Sequence, residues 1–81
     1  MSSNPSYRPT IHPSIEVLAT RIESLPADAP EAEHTRLRDS CKAKVRSFSI
    51  ENHLRLATDA ALARSRWDVV ARFAATGRAR A

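Results

Sequence analysis

From Ile11 onward the apolar side chains recur with a helical period. Ile11, Ile15, Leu18, Ile22 and Leu25 follow one another at spacings of four, three, four and three residues, with Glu16, Arg21 and Glu23 falling between them. That rhythm gathers the apolar residues on one narrow seam of an α-helix and leaves the charges on its other sides. It predicts a first helix over about residues 13–25. Pro13 suits its first turn, where no helical hydrogen bond is lost, and Pro26 stops it. Ahead of it, MSSNPSYRPTIHP carries Pro5, Pro9 and Pro13. Each proline fixes its own φ and pushes the residue before it toward extended geometry, so residues 1–12 read as an extended arm.

The second run, about residues 30–48, places His34, Leu37, Cys41, Val45 and Phe48 on one face and Arg36, Arg38, Lys42, Lys44 and Arg46 outward. Asp28 and Glu31 have the spacing of a capping box at its start, and Pro30 lies where an early turn tolerates it. No glycine or proline separates this run from the next apolar stretch, which starts at Ile50. A single helix from 30 to 76 would be about 70 Å long, too long for so small a globular chain. Ser47 or Ser49 can cap a new helix instead. The third helix is expected over about residues 50–75, closed by Gly77 at C′ and followed by a basic tail, residues 78–81, with Arg78 and Arg80. The fold class is therefore all-α: a small three-helix bundle over residues 13–77 with an extended Pro-rich N-terminal arm.

The third helix is apolar on more than one side. Leu56, Ala60, Ala63, Trp67, Val70 and Ala74 form one stripe and Ile50, Leu54, Ala57 and Ala61 another, with Leu62, Val69 and Phe73 beside the first. A helix facing two neighbours needs a stripe only about 100° wide, so the breadth has two explanations. Either a further surface is buried against a subunit or target protein, or this helix lies centrally and touches both of the others.

Composition sets the scale. Eighty-one residues leave room for one domain, which at this size buries only roughly 60% of its unfolded surface. Much of the 42% hydrophobic fraction is alanine, so a bound partner or a homodimer would supply part of the missing burial. The single cysteine excludes an internal disulfide. No charged n-region precedes an apolar h-region, and the expected location is cytoplasmic. The apolar runs are too short to span a membrane.

Charge is unevenly spread. Residues 1–33 carry two basic and five acidic side chains, a net −3, whereas from His34 onward eleven basic residues face four acidic ones, a net +7. The later part should attract an acidic surface, protein or nucleic acid. Arginines that merely solvate helix faces would give the same composition.

Residues 53–72 can be laid against a known pattern. Leu56 and Ala57 as the paired positions of a first helix, Ala60, Ala61 at the turn, Leu62, and Trp67 and Val70 in a second helix resemble the helix-turn-helix motif. The resemblance implies a recognition helix carrying Arg64, Arg66 and Arg72, where arginine meets guanine edges or phosphates. It departs from the motif at the turn, where glycine is usual and Ala61 stands, and DAALARS, Asp59 to Ser65, is equally good continuous helix.

Catalysis finds no constellation. His34 and Cys41 lie seven residues, two helical turns, apart and make no local zinc pair. Cys41 reads as a small core residue, and no metal or other cofactor is implied. Asp68 to Arg72 and Asp39 to Lys42 have the spacing of helical ion pairs. The expected function is thus that of a small non-catalytic regulator, an inhibitor or adaptor, docking on the acidic surface of a larger protein or complex. Arg64, Arg66, Trp67 and Arg72 are the first candidates for contact, since arginine and tryptophan dominate interface hot spots. Arg36, Arg38, Lys42, Lys44 and Arg46 form a secondary basic face. The alternatives are a DNA-binding regulator using the degenerate motif, and a structural subunit of a larger assembly.

Overall fold

A computed structural model describes residues 11–77, and within them the chain is all-helical. The helices are α1 (Pro13–Ser24), α2 (Glu31–Ser47), α3 (Ile50–Arg55) and α4 (Ala60–Thr76). Residues 1–10 of the expected arm and the expected tail 78–81 lie outside the described residues.

The first helix forms where its seam predicts, with Pro13 in its opening turn. Ile15, Leu18, Ala19 and Ile22 are buried, while Ile11 and Leu25 are half-buried at its ends. Its cap is His12, whose Nδ1 accepts a hydrogen bond from the Ser14 amide at 3.3 Å. The same ring meets Phe48 edge-on, centroids 4.7 Å apart. Lys44 Nζ stands 4.9 Å from the centroid of the Phe48 ring. This chain of contacts ties the start of α1 to the end of α2.

The expected capping box at α2 does not form. The helix begins at Glu31, so Pro30 is the cap residue and supplies no side-chain bond. A box needs its Asp at the cap and its Glu three residues later; Asp28 is two positions too early.

The single third helix is also corrected: it is two helices, broken over residues 56–59. The amides of Leu56 and Ala57 bond back only three residues, to the carbonyls of His53 and Leu54 at 3.1 Å each, tightening the end of α3. Asp59 then turns its carboxylate back to accept from the Leu62 amide at 3.0 Å, capping α4. No glycine or proline is needed, because an aspartate that satisfies an orphan amide favours a helix start over a helix interior. The expected cap at Ser49 does form, accepting from the Asn52 amide at 3.0 Å.

The break explains the breadth of the apolar surface. Ala63, Trp67, Val70 and Ala74 are buried, but Leu56, assigned to the same stripe, is 50% exposed, because it precedes the break. Moreover α4 lies centrally and packs against α1, α2 and α3, while α3 touches α4 alone among the helices. The core joins the α1 seam and Leu37 and Cys41 of α2 to Trp67, Val70, Phe73 and Ala74. Gly77 ends α4 at φ +73°, the left-handed conformation that glycine reaches without strain. No helix among the described residues is long and apolar enough to cross a membrane.

Candidate functional site

The four residues expected to contact a partner fall into two groups. Arg66 and Trp67 point inward. Trp67 belongs to the core at 7% exposure, its indole 5.9 Å from the His53 ring. The Arg66 side chain is 14% exposed and is spread across α1. Its Nε and one terminal nitrogen donate to the two oxygens of Glu16, both at 3.1 Å. The other terminal nitrogen donates to Glu23 at 2.8 Å, and Thr20 Oγ1 accepts at 3.1 Å.

Residues 16, 20 and 23 recur at helical spacing, so α1 offers one polar stripe alongside its apolar seam, and a guanidinium fork matches it. Burial opposes the charged guanidinium, but the hydrogen bonds it donates to Glu23 and Glu16, with the charges of the two carboxylates, outweigh that, and the pKa stands above its ordinary value. Arg66 therefore joins α4 to α1. The stripe of opposite charge on the first helix was the signal in the sequence for this pairing.

Arg64 and Arg72, by contrast, are exposed. They share the outer stripe of α4 with Ala61 and Asp68, one turn apart at each step. Among the described residues neither arginine makes an ion pair, so the expected Asp68–Arg72 pair is absent, as is Asp39–Lys42. Exposed pairs gain little against the entropy of holding two long side chains together. Where α2 does form one, it is Arg36 to Glu33 at 3.4 Å. Leu62, 38% exposed, and Leu56 flank the α3–α4 break and add apolar surface.

The secondary basic face is likewise divided. Arg36, Lys42 and Arg46 are exposed, while Arg38 and Lys44 are partly covered. Lys44 joins Val17, Leu18, Ser40, Ala43 and Ser47 in lining an open groove of about 600 Å³ between α1 and α2.

The helix-turn-helix register is not reproduced. Its turn was to fall at Ala61, but residues 60–76 form one helix and the chain turns at 56–59. Asp59 sets the start of α4 and carries Ala61 into its first turn. Of the three arginines assigned to a recognition helix, Arg66 is engaged by α1.

Cys41 is fully buried, and burial pushes its thiol up to about 11 against the weaker opposing pull of Arg21. A thiol so rarely ionised is a poor nucleophile. His34 and Cys41 are not brought into a metal site; among the described residues no group of three or more His, Cys, Asp or Glu could hold a metal ion. No protein-family model, curated protein or solved structure matches this chain.

Proposed function

We propose that the protein is a small non-catalytic regulator, an inhibitor or adaptor, that docks on an acidic surface of a larger protein through the outer face of α4. The supporting observation is the state of Arg64 and Arg72: exposed, without an ion pair among the described residues, and held on one rigid helical stripe with Leu62 and Leu56 near its start. Unpaired guanidinium groups beside apolar surface suit a partner that presents carboxylates around an apolar patch, the arrangement in which arginine contributes most to binding. Arg36, Lys42 and Arg46 would steer such a partner without being buried by it. Arg66 and Trp67 take a different part in this reading: they hold α4 in place, and the partner meets their neighbours.

Photo-crosslinking in the source cells tests the proposal. A crosslinking residue at position 62 should join the chain to one protein species, and the adduct should disappear when Arg64 and Arg72 are both changed to Glu. Adducts with nucleic acid instead, or a protein adduct unaffected by the charge reversal, would overturn it.

A further inference from the structure

A polar cavity of about 290 Å³ lies between the start of α2 and the end of α4. Glu31, His34 and Arg38 line it from α2, Thr76 and Gly77 from α4, and the α1–α2 turn closes another side. The three α2 residues stand at i, i+3 and i+7 and so share one helical face.

Arg38 is the unusual member. Its Nε is buried and has no hydrogen-bond partner among the described residues. Glu31 lines the same cavity, yet no ion pair joins the two; α2 has one among the described residues, between Arg36 and Glu33. The side chain is nevertheless held in place, because it packs against the bare Cα of Gly77, where any added Cβ would overlap it. Gly77 thus does two things: it ends α4 in the left-handed conformation, and it leaves room for the guanidinium.

His34 is the second polar group of the cavity. Its Nδ1 stands 3.2 Å from the Pro30 carbonyl, an acceptor only, so the proton sits on Nδ1 and Nε2 is free. Nε2 is then an acceptor for the P–OH of a singly protonated phosphate. The first turn of α2 lacks a side-chain cap, and Glu31 and Glu33 stand in that turn against the positive end of the helix dipole.

We infer that this cavity is a binding site for a phosphate group, free or carried on a monoester. An unpaired guanidinium and an imidazole line one polar space beside the start of α2. A phosphate has three terminal oxygens to meet them, whereas a carboxylate has two and fills only the arginine fork. The Glu31 carboxylate weakens the site, so it sets an affinity low enough for reversible binding. The inference does not depend on the docking face of α4, whose arginines do not line the cavity.

The full chain labelled with ¹⁵N tests it through the Arg38 Nε–Hε resonance. Inorganic phosphate and phenyl phosphate, added at constant ionic strength, should each shift that resonance saturably at millimolar concentration or below, with phenyl phosphate at least as tight. Acetate and chloride should not. Arg38→Gln removes that reporter, so it is read on the Gly77 backbone amide and should abolish binding of both probes; His34→Ala should weaken binding several-fold and Glu31→Gln should tighten it, with helical circular dichroism unchanged in the last two. Equal shifts with chloride or acetate would overturn the site, as would midpoints unmoved by both His34→Ala and Glu31→Gln. Binding of inorganic phosphate alone would support the site with the free ion as its ligand, binding of both probes would extend it to monoesters, and binding of neither would overturn it.

Discussion

His53 is the residue whose environment departs furthest from what its chemistry asks. It is fully buried, neither ring nitrogen has a hydrogen-bond partner among the described residues, and its ring lies against Trp67. Burial lowers its pKa below the ordinary 6.5; the backbone of Ala63 partly opposes this, and the nearby His12 adds to it. The neutral form is therefore the one that folds. A histidine whose folded pKa is depressed leaves the native state at full stability above the unfolded value, and that stability is lost as pH falls through 6.5 toward the folded pKa. The melting temperature should accordingly drop between about pH 7.5 and pH 5.5. His53→Phe keeps the ring and removes both unpaired nitrogens, so it should flatten that dependence without lowering stability at neutral pH. Circular dichroism melts across the pH range check this; an equally steep loss in the variant would show that His53 is not its source.

At the scale of the element, the α3–α4 break depends on Asp59. Its carboxylate satisfies one amide that the first turn of α4 would otherwise leave open. Asp59→Ala should cost about 1 kcal/mol, read as a lower denaturation midpoint with an unchanged denaturant slope. No measurable cost would mean that packing alone sets the break. The signal was present in the sequence, since Thr58 and Asp59 stand directly before a helix-forming run. It was outweighed by the absence of any glycine or proline and by apolar periodicity that passes through the break without losing phase. The α1 seam was legible because Ile15, Leu18 and Ile22 form one stripe bounded by prolines. The cap at His12 was not, because histidine caps only when its tautomer leaves Nδ1 free to accept. Arg38 looked like any outward arginine of α2; its cover comes from Gly77, thirty-nine positions away in the chain, and no local pattern reports that contact.

For the whole molecule, the arginines of α4 divide between Arg66, which is bonded to α1, and Arg64 and Arg72, which stand exposed and which we propose meet a partner. A chain this small has a modest core, so a cross-link between helices at its edge matters more than it would in a larger domain. Glu16 and Glu23 are each about half exposed, 46% and 52%, and solvent screens their share of the interaction. The fork of Arg66 is nonetheless satisfied on all its sides by α1, and its loss should cost about 1–2 kcal/mol. Arg64 makes no ion pair among the described residues that its loss would disturb. The same residue type, two positions apart, is thus exposed in one case and bonded across the fold in the other, whereas composition and spacing assign all these arginines one role.

The most direct test compares the thermal unfolding of Arg66→Gln and Arg64→Gln, measured side by side. With about 4–8 °C expected per kcal/mol in a domain of this size, Arg66→Gln should melt at least about 5 °C below the parent and Arg64→Gln within about 1 °C of it. Equal melting temperatures for the two variants would contradict the division of the helix into a structural face and an exposed face free of structural duty.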